Sequence, residues 1–233
     1  MPRPEKIEKR HLSEIVIRFF DWLCMKLINK RTIDGLLVFY NSDHAGKDAD
    51  KAVAALRLIQ KFDPVRYKQI VRDLKRIWIT TIPGGIGRFI KSTSTCELDR
   101  RFVLDEHTVT EQIASTIVHE ATHARLDRRG IGYQEQLRAR VEGVCMGREQ
   151  AFAAKLPDGA NIRKWVEASQ IQSLEFSNVA MHARRIDDAR DALLDLNAPV
   201  WLADIIVFFA GRRHQRRIRR AERHSTSGTD PLS

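Results

Sequence analysis

Apolar residues recur at helical spacing along most of this chain and change to a strand-like pattern in one short block. Asp63 and Pro64 begin one helix, since proline suits the first helical turn. The apolar run Leu36–Tyr40 is too short to distinguish a strand from the end of a helix. The spacing predicts other helices over residues 12–28, 45–62, 134–156 and 200–223, and further ones between 161 and 196.

β-branched and aromatic residues are concentrated between residues 77 and 105. Ile77–Ile82 is a strand by composition, and Pro83–Gly87 forms the loop after it. Ser92–Leu98 is a weaker strand and Arg101–Asp105 a stronger one. We therefore expect an α+β fold that is mostly helical. A small sheet would pack on the helix that follows it in sequence, with accessory helices around them.

That next helix contains the pattern His-Glu-x-x-His, formed by His119, Glu120 and His123. Thr108–Glu111 fits a capping box at its start, and Gly130 is a natural left-handed stop at its end. Histidines four apart lie one turn apart on the same helix face, so both imidazoles can reach one metal ion. This spacing is typical of zinc hydrolases, in which the glutamate is the general base. The alternative is a pair of packing histidines on a buried helix.

A catalytic zinc site needs a third protein ligand, and the following helix offers glutamates. Glu142 is the first candidate because of its neighbours on that helix. We call Ala139, Gly143 and Gly147 the small-residue stripe; they are spaced by four, and a side without bulk would let two helices approach closely. Glu149 lies two turns beyond Glu142 on the same face. It is either an alternative ligand or a partner that orients a histidine.

The His-Glu-x-x-His helix, a glycine turn and Glu142 on the next helix resemble the gluzincin branch of the zincin metallopeptidases. The resemblance covers roughly residues 63–152. It implies a zinc-dependent peptidase with Zn²⁺ as cofactor and a peptide or protein as substrate. His119, His123 and Glu142 would be the ligands, and Glu120 the general base for a zinc-activated water.

The same resemblance implies that an edge strand of the small sheet binds extended substrate, and we expect this strand within Cys96–Asp105. Peptide hydrolysis also needs a donor for the developing oxyanion. Tyr133 is a candidate for that role, and Arg138 and Arg140 are near enough in sequence to be considered. Two alternatives stay open: a zincin-like protein that is catalytically inactive, and a basic helical binding protein that associates with a membrane surface or nucleic acid.

The predicted organisation has four parts. They are an N-terminal helical segment over 1–62, a zincin-like core over 63–156, C-terminal helices with a basic tail over 157–224, and a disordered tail over 225–233.

Positive charge is in excess, with 40 Lys and Arg against 30 Asp and Glu and a net charge of +10. Much of it lies in the run Arg212–Arg220, which follows the apolar half of the last predicted helix. This run is a solvated helix face or, with residues 200–223 as a whole, a contact for an anionic membrane surface. Nucleic acid fits less well because no aromatic residues interleave the arginines. The oligomeric state is left open.

The three cysteines are isolated from one another, which favours a reducing compartment over a disulfide framework. The N-terminus shows no secretory signal, and no apolar run reaches the ~20 residues that span a bilayer. We therefore expect a cytoplasmic protein, with peripheral membrane association as a further hypothesis.

Overall fold

The computed structural model of the chain describes residues 29–41, 46–171 and 178–226. The strands are β1 (Asn29–Ile33), β2 (Leu36–Tyr40), β3 (Arg76–Thr80), β4 (Gly87–Ile90) and β5 (Thr95–Asp99). The helices are α1 (Lys47–Phe62), α2 (Pro64–Asp73), α3 (Arg100–Leu104), α4 (Thr110–Arg128), α5 (Glu135–Ala153), α6 (Gly159–Ile171), α7 (Asn178–Asp187), α8 (Ala189–Asp195) and α9 (Val200–Thr226). These elements confirm the α+β fold class.

Two sequence predictions concern residues that the structure does not describe. The predicted helix over 12–28 lies outside the described residues, and so does the predicted disordered tail, except for its first two residues, which end α9. The predicted division into four segments stays a prediction. The hydrophobic core of the described part draws on residues from Ile33 to Val166.

The sheet is mixed and has the strand order β1-β2-β3-β5-β4. The inner pairs β2–β3 and β3–β5 are parallel, whereas β1–β2 and β4–β5 are antiparallel. β1 and β2 form a hairpin whose two turn residues, Asp34 and Gly35, both have positive φ, 50° and 88°. Asp-Gly is a favoured sequence for such a two-residue turn. Leu36–Tyr40, which the sequence left open between a strand and a helix end, is therefore the second strand of this hairpin.

The strand predicted over Arg101–Asp105 is wrong, because these residues begin the short helix α3. The side chain of Asp99 accepts hydrogen bonds from the backbone N–H groups of Arg101 and Phe102, at 2.8 and 3.4 Å. This is an N-terminal helix cap, which turns the chain out of β5 and into the helix. The composition of these residues favours a strand, but the capping side chain of Asp99 stabilises the start of a helix instead.

The expected position of the edge strand is also wrong. β5 lies between β3 and β4, and all five of its residues are buried. The edge of the described sheet on this side is β4, whose four residues are only partly buried. β4 was not predicted at all, because Gly87–Ile90 directly follows a loop rich in glycine.

Helix α4 runs through the centre of the molecule, between the sheet, α1, α2 and α5. Ten of its nineteen residues are buried, and they include residues on every side of the helix. It begins at Thr110 rather than at the predicted capping box. The Gln112 side chain accepts a hydrogen bond from the Val109 N–H at 3.0 Å, which satisfies one donor at the helix start.

The C-terminal helices are tied to the sheet by ion pairs. Arg101 bonds Asp99 beside it and Asp188 at the start of α8, with shortest distances of 2.9 and 2.7 Å. Arg100 pairs in the same way with Asp195 at the end of α8, at 2.9 Å. Asp188 also accepts the backbone N–H of Gly84 at 2.8 Å, so the loop before β4 and the α7–α8 pair are held together.

Candidate metal centre

Helices α4 and α5 pack against each other through a polar face of α5. The buried residues of that face include Glu142, Cys145 and Glu149, which recur at spacings of three and four. The small-residue stripe is on another side, because Ala139, Gly143 and Gly147 are all exposed. A Cβ on either glycine would meet no described atom within 4 Å. The prediction that this stripe contacts the His-Glu-x-x-His helix is therefore wrong, although Glu142 faces that helix.

His119, His123 and Glu142 converge at one point between the two helices. The Nε2 atom of His119 lies 3.1 Å from one carboxylate oxygen of Glu142. The Nε2 atom of His123 lies 3.5 Å from the other oxygen. The two imidazole rings stand 5.1 Å apart between centroids, as expected for histidines four apart on a helix. The structure thus brings together the three residues that the sequence proposed as ligands.

Glu149 contacts the opposite edge of the first histidine. One of its oxygens lies 3.1 Å from Nδ1 of His119, and the other accepts a hydrogen bond from the Ser115 hydroxyl at 2.9 Å. A carboxylate at Nδ1 favours the tautomer with a proton on that nitrogen, which leaves Nε2 free to bind a metal. Of the two roles considered for Glu149, this geometry favours orientation of His119 over ligation.

Glu120 is buried and lies against the start of the edge strand. A Cβ built on Gly87 would come within 2.6 Å of Thr116 Cγ2 and 3.0 Å of Glu120 Oε1, so only glycine fits there without a shift. The backbone N–H of Phe89 also donates a hydrogen bond to the Glu120 carboxylate. Burial raises the pKa of Glu120 from 4.5 to about 7. The positive charge of His119 opposes this rise, and the negative charge of Glu142 adds to it.

The two histidines have opposite pKa shifts. Burial would lower the pKa of His119, but hydrogen bonds to Glu142 and Glu149 raise it well above 6.5. Burial and the charge of His119 lower the pKa of His123 to about 4. Although burial opposes it, the hydrogen bond from His119 lowers the pKa of Glu142 to about 2. Three carboxylates thus surround two imidazoles in a buried space, and this arrangement favours a positive charge between them.

Tyr133, the candidate oxyanion donor, lies beside the same cluster. Its hydroxyl donates a hydrogen bond to Glu142, and its ring meets the edge of His123 with 5.1 Å between centroids. Arg138 lies over the Tyr133 ring, 5.1 Å from its centroid, and bonds Asn178 at 2.9 Å. Arg140 is exposed. Tyr133 therefore contacts the cluster directly. Arg138 contacts the Tyr133 ring and Asn178 instead, and Arg140 is exposed to solvent.

Cys145 is a residue of this cluster that the sequence analysis missed. Its Sγ and one nitrogen from each of His119 and His123 all lie within 4.8 Å of one another, and the thiol is fully buried. The available signal was its spacing, one turn after Glu142 on the same helix face. In the sequence it is an isolated cysteine without a C-x-x-C partner.

The donor atoms of this cluster are of the types that zinc binds. The two nitrogen-to-oxygen distances, 3.1 and 3.5 Å, go to different oxygens of Glu142, so the carboxylate bridges the two imidazoles. Two neutral imidazoles and a carboxylate are a donor set that zinc accepts, and the Cys145 thiol is a further donor within 4.8 Å of both imidazoles.

The centre opens into a cleft of about 740 Å³. It is lined by residues of α4 and α5, by residues 82–91 with the edge strand β4, and by Met181, Arg184 and Arg185 of α7. Trp165 and Val166 of α6 also line it. Glu120 and the edge strand β4 therefore line the same cleft.

We compared the chain with known proteins. No family model, no curated protein and no solved structure matches it.

Proposed function

We propose that this protein is a zinc-dependent metallopeptidase. The observation that carries the proposal is the meeting of His119, His123 and Glu142 in the lining of a cleft, with Glu120 beside them. Zinc, when bound, supplies Lewis acidity, which makes water a better nucleophile near neutral pH and polarises a carbonyl group.

The residues around the centre have separate tasks in this proposal. His119, His123 and Glu142 hold the ion, and Glu149 fixes the orientation of the His119 ring. Glu120 takes a proton from water and returns it to the leaving amine; a pKa shifted toward neutrality by burial suits a group that both accepts and donates. Tyr133 is close enough to donate a hydrogen bond to the developing oxyanion, provided that its hydroxyl leaves Glu142.

The proposed substrate is an extended peptide that lies along β4. An exposed sheet edge can bind a peptide through main-chain hydrogen bonds, and β4 is the edge that lines the cleft. The close approach of Gly87 to Glu120 places this edge directly beside the proposed general base. A peptide on β4 would therefore pass over the metal centre.

Metal content tests the centre itself. We expect purified protein to contain one zinc per chain and His119→Ala to lose it. The matched control is His107→Ala, because the His107 side chain is 87% exposed and lies outside the cluster. Wild-type protein without zinc, after growth with added zinc, would contradict the proposal and favour the basic helical binding protein.

Turnover tests the chemistry. Wild-type protein should cleave members of a mixed peptide library, as read by mass spectrometry. Glu120→Gln should keep the zinc and lose about 10²–10⁴-fold of the rate, the usual contribution of a general base. Glu111→Gln, in the first turn of the same helix, is the control. If wild-type protein binds zinc but cleaves nothing in the library, the inactive zincin-like alternative replaces the peptidase.

We also propose a cytoplasmic location. Cys96 and Cys145 are buried free thiols, which suits a reducing compartment. Quantitative thiol labelling of unfolded protein, taken directly from cells, should find both unmodified; oxidised thiols would argue against this compartment.

A further inference from the structure

The last helix, α9, has an outward face made of large apolar side chains. Trp201, Ile205, Phe208 and Phe209 are each between 45% and 64% exposed. Their spacings of four, three and one place them on one stripe of the helix, which we call the aromatic stripe. Ala203 lies on the other side and is fully buried, where α9 packs on α7 and α8. The packing of the helix therefore turns its largest apolar side chains away from the protein.

The aromatic stripe is continuous with positive charge. Arg212 lies one turn after Phe208, and its guanidinium stands 4.7 Å from the centroid of the Phe208 ring. Arg213 is exposed beside it. In the sequence, four more arginines follow within the same helix, at positions 216, 217, 219 and 220. An apolar surface thus ends directly in a cationic one.

We infer that α9 lies flat on an anionic membrane surface, with the aromatic stripe at the boundary between headgroups and acyl chains. Tryptophan and phenylalanine beside a run of arginine are the features of helices that lie in this interface. Within the part of the chain that the structure describes, no helix combines the length and apolar character needed to cross a bilayer. Attachment through α9 would therefore be to one surface of the membrane.

Charge selects lipid among the partners that an apolar stripe could bind. The chain carries a net charge of +10, so the partner that gains most from the arginine run is an extended anionic surface. A second copy of the chain would cover the stripe but would add another cationic run. Nucleic acid would meet the arginines but would leave the aromatic stripe exposed, because the aromatic residues precede the arginines and do not interleave with them.

Membrane attachment would also bring the cleft close to the lipid surface. α9 packs on α7, and α7 contributes Met181, Arg184 and Arg185 to the lining of the cleft. This positional consequence rests on the proposed function, whereas the attachment itself does not. The two can fail separately, because vesicle binding is measured without any substrate.

Vesicle sedimentation with the full chain tests the inference. We expect binding to phosphatidylcholine vesicles that contain phosphatidylglycerol, and at least tenfold weaker binding to vesicles of phosphatidylcholine alone. Trp201→Ser/Phe208→Ser should weaken binding to anionic vesicles at least tenfold. The control pair is Val65→Ser/Val109→Ser, two exposed valines elsewhere on the protein, which should bind as the wild type does.

The charge is tested in the same assay. Arg212→Gln/Arg213→Gln should weaken binding about 25-fold, since each basic residue near an anionic surface contributes about fivefold. Arg140→Gln/Arg148→Gln removes two exposed arginines from α5 and should have no effect. Binding of the wild type should also weaken as salt is added.

Several results would overturn the inference. One is failure of the wild type to sediment with anionic vesicles, and another is an equal loss of vesicle binding in the stripe and control variants. A third such result is a dimer, seen by light scattering, that dissociates in the stripe variant although the wild type does not bind vesicles.

Insertion is checked with brominated lipid, which should quench the fluorescence of the wild type more than that of Trp201→Phe. Equal quenching in these two proteins would contradict an inserted stripe. Unchanged thermal melting of each variant shows that loss of binding is not loss of fold.

Discussion

The helix pair α4–α5 and the helix α9 depart in opposite ways from the usual pattern of buried apolar and exposed charged side chains. The pair buries three carboxylates, Glu120, Glu142 and Glu149, around two imidazoles. α9 instead exposes large apolar side chains, among them Trp201 and Phe209. Buried charge and exposed apolar surface are both costly, so each place is one where we propose a bound partner.

The comparison also teaches which partner to expect at each place. At the helix pair we propose a metal cation, which would take the place of the positive charge that His119 carries among the three carboxylates. At α9 we propose a lipid surface, because a large apolar area lies next to arginines. Glu142 and Glu149 bond His119 across the helix pair, so substitutions there affect folding as well as binding. Trp201 and Phe208 are mostly exposed, so substitutions there should affect binding more than folding.

Glu149→Gln is the largest of the following effects and tests whether the buried carboxylates serve the metal. We expect zinc affinity to fall about 10-fold to 100-fold, as for other groups that orient a ligating histidine. The reason is that a neutral side-chain amide cannot supply the negative charge that Nδ1 of His119 now meets at 3.1 Å. Competition with a chromophoric chelator measures the change.

Ser115→Ala is the matched control for this measurement. It removes only the hydrogen bond to the other oxygen of Glu149, so its effect should be smaller than that of Glu149→Gln. If Glu149→Gln loses zinc as completely as His119→Ala does, then Glu149 is itself a ligand and the assignment of Glu142 must be re-examined.

Much of the candidate site was accessible from the sequence. The four-residue spacing of His119 and His123 fixes one helix face, and the same reasoning places Glu142 and Glu149 together two turns apart. Helical periodicity gives relative positions on one helix. It does not give the rotation of that helix against its neighbours, so the small-residue stripe was assigned to the wrong side of α5. Cys145 was missed for another reason, because an isolated cysteine forms no recognisable motif even though its spacing places it on the face of Glu142.

The sheet was less accessible because its pairing is between distant segments. Ile77–Ile82 was recognised from composition and corresponds to β3. Gly87–Ile90 was not, since a strand that begins with glycine and is only half-buried carries neither clear alternation nor β-branched enrichment. The helix start after Asp99 depended on a side-chain cap that composition does not reveal. Long, strongly periodic helices were predicted well because their pattern lies within one continuous segment.

Gly87→Ala tests how closely the edge strand approaches the buried centre. The added Cβ would overlap Thr116 and Glu120, and we expect a loss of about 1–2 kcal/mol in the free energy of unfolding, at the lower end of overpacking costs. Urea denaturation measures it. Thr116→Ser removes the nearest methyl group, so the double variant should recover part of the loss. Additive losses in the two variants would mean that β4 does not contact α4 at this point.

Gly143→Ala should have the smallest effect and the opposite sign. Gly143 is exposed within α5, and a Cβ there meets no described atom within 4 Å. Alanine in an exposed helix interior is favoured over glycine by about 0.5–1 kcal/mol, so the free energy of unfolding should rise by that amount. Gly147→Ala should behave in the same way, and zinc affinity should not change in either variant. If both variants instead lose stability and zinc, the small-residue stripe faces α4, and the buried charges of α5 would then lie on its solvent side.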